Sequence, residues 1–123
     1  MAVNESSASK RGLDILLRFV NPRDTLVLVH FTHPFQTDPA LQRSNATLQA
    51  YYEKELMEAG PPDSKFVLAE YKSSVALADA IANYANDSTA DIFAIAPRAT
   101  TDRSSITDSV VGSVMLTVLL CKN

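Results

Sequence analysis

Apolar residues along this chain switch between two periods, and each switch marks an element boundary. Met1-Ala2-Val3 is a short apolar stub, followed from Asn4 to Ser9 by a polar turn rich in helix-capping residues. From about Ser9 to Val20 the positions Leu13, Leu16, Leu17 and Val20 recur at the spacing of one helix face. Asn21-Pro22 stops that helix, because proline disfavours helical geometry in the residue before it. Thr25 to Phe31 is a continuous β-branched and aliphatic run, too apolar for a sheet wetted on one face. It predicts a central parallel strand. Thr32 to Pro39 is a loop with two prolines, and the helical period returns from about Pro39 to Ala59. There Leu41, Leu48, Tyr52 and Leu56 share one side while Glu53, Lys54 and Glu58 face water. Gly60-Pro61-Pro62 ends this helix, with glycine suited to the position just past a helix and proline beyond it.

The second half repeats the alternation. Lys65 to Tyr71 predicts a strand, and Ser73 or Ser74 an N-cap. The helix that follows has a narrow face of Val75, Ala78, Ile81, Ala82 and Ala85. Asp91 to Ala96 predicts a buried strand closed by Pro97. Ser104 or Ser105 caps a last helix to about Val111, and Met115 to Cys121 predicts a closing strand. Counting the stub at Met1, strands and helices alternate throughout. That alternation predicts an α/β three-layer sandwich, a five-stranded mainly parallel sheet with helices on both faces. The 123 residues fit a single domain, 1–123, without repeat or linker.

Composition narrows the chemistry. Glycine occurs only at Gly12, Gly60 and Gly112, where average usage of roughly 7% would give about nine. With about 50 residues between neighbouring glycines, no Walker loop or dinucleotide fingerprint exists here. Eleven basic against fourteen acidic residues give a net charge of −3, with no block of like charge. An electrostatic grip on nucleic acid is not expected. A single cysteine excludes an internal disulfide and a multi-cysteine metal site. Met1 to Lys10 has no apolar signal region, and the apolar stretch Val110 to Cys121 is too short for a bilayer. The expected compartment is the cytoplasm, and the sequons at Asn45 and Asn86 read as chance matches.

Ligands of an open parallel sheet bind outside the carboxyl ends of its strands. Those ends carry Asn4 to Ser7, His30 to His33, Tyr71 to Ser74, and Ala96 to Ser105. His30 and His33 have the look of a metal pair, but only Asp38 stands near as a further ligand, so local packing is the expectation and no metal is assigned. No serine has glycine on both sides, so the strained mount of a nucleophilic serine is missing, and no catalytic residue is assigned. Cys121 lies in an apolar strand without a local cation and reads as a structural thiol. The segment Ala96-Pro97-Arg98-Ala99-Thr100-Thr101-Asp102-Arg103-Ser104-Ser105 has two readings. Its arginines, hydroxyls and helix N-terminus are compatible with a phosphate, and equally with a polar turn carrying serine caps.

These pieces resemble the universal stress protein family over nearly the whole chain. Ala2 to Ser9 resembles the family's opening strand and turn, and Asp24 to His30 its second strand. Ala90 to Ala96 sits where members carry an Ala-Asp-apolar strand ending in glycine, and Thr117 to Leu120 matches the terminal strand. The resemblance implies the adenine nucleotide alpha hydrolase-like fold, and often a dimer formed through the last strand, here Val118, Leu119 and Leu120. It also implies an adenine nucleotide, AMP or ATP, in some members.

Members that bind nucleotide carry Gly-x-x-Gly, nine residues, then Gly-Ser. The first two glycines fall on Ala96 and Ala99, and the last pair on Ser104-Ser105 in preference to Gly112-Ser113, which would leave no room for a helix. The family's early aspartate falls on Asn4 and the next glycine on Glu5. A β-carbon at Ala96 or Ala99 and the charge of Glu5 argue against tight ATP binding. The resemblance thus implies a dimeric stress-response or regulatory module with weak or lost ATP binding, and not an enzyme. An alternative is a nucleotide sensor using Asn4, Phe31, Ala96, Arg98, Ser104 and Ser105, with at most slow hydrolysis. A small enzyme or electron-transfer-like relative of the same superfamily is disfavoured by the missing acid–base cluster.

Overall fold

The computed structural model describes residues 1–33, 38–96 and 105–121. Its elements are α1 (Ser7–Leu17), β1 (Thr25–Thr32), α2 (Pro39–Ala59), β2 (Asp63–Glu70), α3 (Leu77–Asp87), β3 (Ile92–Ile95), α4 (Ser105–Ser113) and β4 (Thr117–Leu120). β1 and β2 run parallel in register from Thr25 opposite Asp63 to Thr32 opposite Glu70. β3 and β4 run parallel from Ile92 opposite Thr117 to Ile95 opposite Leu120. Between the two pairs lies the N-terminal stub, where Ala2 makes parallel bridges to Val29 on one side and Ile95 on the other. Val3 donates to the Val29 carbonyl at 2.9 Å, Val29 to that of Met1 at 2.9 Å, and Ala2 to that of Ala94 at 3.2 Å. The stub pairs through isolated bridges because the chain turns away at Asn4 after only three apolar residues.

Strand residues alternate between faces, and the two faces have separate cores. Met1, Val3, Leu26, Leu28, Ala94 and Cys121 face Leu13 and Leu16 of α1 and Leu48, Tyr52 and Leu56 of α2. Phe93 and Ile95 face Ile81 and Ala85 of α3 and Val110 of α4, with Ala2, Phe31, Val118 and Leu120 packed around them. Two helices therefore cover each face, as a near-continuous apolar strand like β1 requires. Among the described residues every buried side-chain nitrogen and oxygen has a hydrogen-bond partner.

Element ends are set by side chains that periodicity does not weigh. α1 starts at Ser7 because the Ser6 hydroxyl accepts from Ser9 N–H at 3.1 Å. α3 starts at Leu77 without a side-chain cap, so the expected caps Ser73 and Ser74 lie instead in a turn closed by Val75 N–H on the Lys72 carbonyl at 2.9 Å. Gly60 follows α2 as expected but has φ −82° and ψ 165°, outside the left-handed region. Its role is close approach, because a Cβ there would lie 2.7 Å from the Leu56 carbonyl oxygen. Gly112 lies within α4 with open space around it. Both sequon asparagines serve the fold. Asn45 is buried and donates to Thr32 Oγ1 at 3.1 Å, and Asn86 ties the α4–β4 connection by donating to Ser113 O at 3.1 Å and accepting from Met115 N at 2.7 Å.

The tightest seam is between α1 and the end of β3. A Cβ at Gly12 would stand 2.5 Å from Ala96 Cβ, 3.1 Å from Met1 Cε and 3.4 Å from Cys121 Cβ. The Ala96 methyl therefore occupies the notch that Gly12 leaves in α1. Gly12→Ala is expected to cost about 1–3 kcal/mol through overpacking. Adding Ala96→Gly should recover part of that loss although it is destabilising alone, which urea unfolding of the four proteins would read as positive coupling.

Candidate functional site

The chain leaves the N-terminal stub through α1 to β1 on one side, and later returns to β3 on the other side of Ala2. Connections that depart in opposite directions open a crevice at the carboxyl ends of the strands. Asn4 stands at this point, two residues beyond the Ala2 bridges, with Phe31 one residue before the end of β1 and Ala96 following β3.

Asn4 is held on three sides. Its carbonyl oxygen accepts from the Tyr52 hydroxyl at 2.7 Å, and its backbone N–H donates to Ser9 Oγ at 3.0 Å. Its side-chain Oδ1 accepts from Ser6 N–H at 2.9 Å, closing an Asx turn at the mouth of α1. Ser9 Oγ and Tyr52 Oη are 2.9 Å apart, and Tyr52 spends its only proton on Asn4, so Ser9 donates in that contact. Tyr52 has 0% exposure at the centre of the α1–α2 core and stacks on Phe66 with ring centroids 6.0 Å apart. Burial pushes its phenol up to about 12, against a smaller downward pull from the Ser9 hydrogen bond.

Around this turn the aromatic and histidine side chains have separate duties. His30 Nδ1 lies 3.0 Å from the Val3 carbonyl, which only accepts, so that nitrogen carries the proton. Phe31 is half-buried and meets Tyr84 edge-to-face at 5.6 Å. His33 lies tilted over Tyr71 with centroids 4.8 Å apart and the tyrosine oxygen 3.4 Å from Nε2. Among the described residues no three histidines, cysteines or carboxylates group as a metal site would require. Cys121 is buried, and burial pushes its thiol up, as suits a structural residue. A separate cavity of about 260 Å³ lies by the ends of β1 and β2, lined on the α2 side by Gln42, Asn45 and Gln49 and on the sheet by Thr32 and Glu70.

No family model and no curated protein matches this chain. Solved structures do. A universal stress protein from Archaeoglobus fulgidus superposes with a TM-score of 0.79 at 16% identity, over 97% of this chain and 88% of its own. The fold is that of the universal stress proteins. A universal stress protein family protein from Arabidopsis thaliana, solved with AMP bound, gives 0.69 at 15% identity over 99% of this chain and 88% of its own. A universal stress protein in complex with cAMP gives 0.66 at 15% identity over 97% and 93%. At these identities the shared property is the universal stress protein fold.

Of the residues expected at a site, the structure brings Asn4, Phe31 and Ala96 to the carboxyl end of the stub and its two neighbouring strands. Arg98 and Ser104 lie outside the described residues, and of Ser105 the description covers only its place as the first residue of α4. The Ala96 β-carbon stands against Gly12 in the α1 seam, and the loop it was expected to obstruct lies outside the described residues. Tyr52 and Ser9 escape a reading by periodicity, because both count only as members of helix faces. A buried phenol nevertheless needs a partner for its O–H, and that requirement was the available signal.

Tyr52→Phe should cost about 1–3 kcal/mol, because it removes the donor to Asn4 O and the acceptor for Ser9 in a buried setting. The raised phenol also carries a pH signature. A group whose folded pKa lies above its unfolded value stabilises the fold while protonated, so stability should fall between about pH 10 and pH 12. Denaturant melts across that range should show the fall in the parent protein and a shallower one in Tyr52→Phe.

Proposed function

We propose that this protein is a stress-response or regulatory module of the universal stress protein type, which binds an adenine nucleotide of the AMP class weakly and is not an enzyme. The observation that carries this reading is the pinned Asn4 turn at the sheet's crevice, in a fold shared with proteins solved with AMP and with cAMP. In this reading the N-terminal stub is the middle strand of a five-stranded parallel sheet in the order β2, β1, stub, β3, β4. Asn4 and Phe31 flank the nucleoside, while Ala96, Arg98, Ser104 and Ser105 form the phosphate side. The reading includes a cytoplasmic location and no nucleic-acid or membrane partner. Among the described residues, no helix is long and apolar enough to cross a membrane.

Triphosphate binding is weak in this proposal because the exposed Glu5 carboxylate adjoins Asn4 and no glycine-rich cradle is present. Calorimetry should give an ATP dissociation constant weaker than about 10 μM, roughly −7 kcal/mol, with AMP raising the melting temperature at millimolar concentration. Arg98→Ala should weaken AMP several-fold and leave adenosine unchanged. Tight ATP binding, or equal loss of AMP and adenosine, would refute this division of the site.

Assembly is the second part of the proposal. β4 pairs with β3 along one edge, and among the described residues no strand pairs with its other edge. Val118, Leu119 and Leu120 on it are only half-buried. An apolar open edge is an aggregation hazard unless covered, and a second copy of the same strand covers it. Sedimentation should show a dimer of the 13.4 kDa chain, which Leu119→Lys shifts to monomer. A monomer at all concentrations in the parent protein would count decisively against the dimer.

A further inference from the structure

We propose that the open edge of β2 binds an extended segment of a partner protein as an added strand. An aliphatic side chain of that segment lies over Leu68, and a lysine or arginine two residues away meets Glu70. β1 separates this edge from the stub, so the surface is independent of any nucleotide at the Asn4 crevice. Along a strand the N–H and C=O groups of successive residues point to opposite sides of the ladder. Val29 donates to the Met1 carbonyl and accepts from Val3 N–H, each at 2.9 Å, so the backbone groups of Leu28, His30 and Thr32 face β2. Tyr71 N–H accordingly donates to the Thr32 carbonyl at 3.1 Å. Ser64, Phe66, Leu68 and Glu70 therefore aim their N–H and C=O groups away from β1, and among the described residues no strand pairs with them. The edge is eight residues long, and its middle, Phe66 to Ala69, has neither charge nor proline. Such an edge is a template for another chain.

The cavity of about 260 Å³ lies along the same edge. Leu68 and Glu70 share the α2 face of the sheet with Phe66, which stacks on Tyr52. Further along, α2 leaves that face open. Leu68 is 38% exposed and forms an apolar floor with Ala46, while Gln42 and Gln49 stand on the α2 side. The two residues that line the recess are thus also two whose backbone groups face outward, and an added strand would set alternate side chains over it. Charge decides which side chains suit. Glu70 is the charged residue of the recess, and Glu53, which accepts from Gln49 Nε2 at 2.8 Å, adds a second carboxylate one turn along α2. Glu70 is exposed and makes no ion pair among the described residues, where the pair present joins Lys54 and Glu58. A cation on the incoming strand supplies the complement. A second copy of this chain does not. Paired about a two-fold axis, its β2 would present Ser64, Phe66, Leu68 and Glu70 over the recess, and none of these is basic.

The test uses fluorescent peptides as long as β2, built on threonine, with valine and lysine two residues apart or with glutamate in place of the lysine. Anisotropy titrations are run on the parent protein, Glu70→Gln and Leu68→Pro. The parent should bind the lysine peptide about tenfold more tightly than the glutamate peptide, and Glu70→Gln should bring the two within about twofold. Leu68→Pro removes an outward N–H that β1 does not use, so it should abolish binding of both peptides while leaving the fold intact by circular dichroism. The amide spectrum of the parent provides a readout that needs no variant. On adding the lysine peptide, the N–H signals of Ser64, Phe66, Leu68 and Glu70 should move, while those of Lys65, Val67 and Ala69 stay near their places. Three results would overturn the proposal. The parent binds neither peptide, or it binds both equally, or the preference for lysine survives Glu70→Gln with amide shifts away from β2, which is attraction to the net charge of −3 alone.

Discussion

The hydrogen bond from the Tyr52 phenol to the Asn4 carbonyl joins the longest helix to the start of the chain, and the rest of the arrangement leans on it. Asn4 follows directly on the stub that bridges the two parallel strand pairs, so α2 holds in place the segment that links them among the described residues. The phenol is fully buried, so its O–H has no water to turn to if the bond breaks. Ser9 extends the anchor into α1, with the result that two helices and the stub converge on one polar cluster.

That cluster decides the character of the crevice. A turn fixed by three hydrogen bonds is held in place without help from a ligand. The opposite wall has a comparable logic. Ala96 stands where a glycine would give the backbone freedom, yet its methyl fills the notch at Gly12 and becomes part of the α1 seam. Two residues that look unrelated in sequence thereby form one packing contact.

Much of the architecture was legible from the chain. The helix from Pro39 to Ala59 is found at those bounds, because Asp38 caps it, Pro39 suits its first turn and Gly60 closes it. The strand from Thr25 was legible because a run without polar alternation has to be covered on both faces. Short elements were less so. The stub has three apolar residues and no period, and the start of α3 was obscured by serines that serve a turn. Periodicity reports which face is apolar, and it is silent about where a hydrogen-bonded turn interrupts the helix.

By itself the sequence determined the alternation of strands and helices, the apolar faces that meet, and the absence of any glycine-rich phosphate cradle. These follow from local spacing and residue type, which act over one or two turns of chain. Only the tertiary structure decided that Tyr52 reaches back 48 residues to Asn4, that Gly12 and Ala96 interlock, and that the sequon asparagines are engaged within the fold. Contacts between residues distant along the chain depend on how helices are rotated and set down on a sheet. That placement is settled by the packing of whole faces against one another, and no local pattern encodes it.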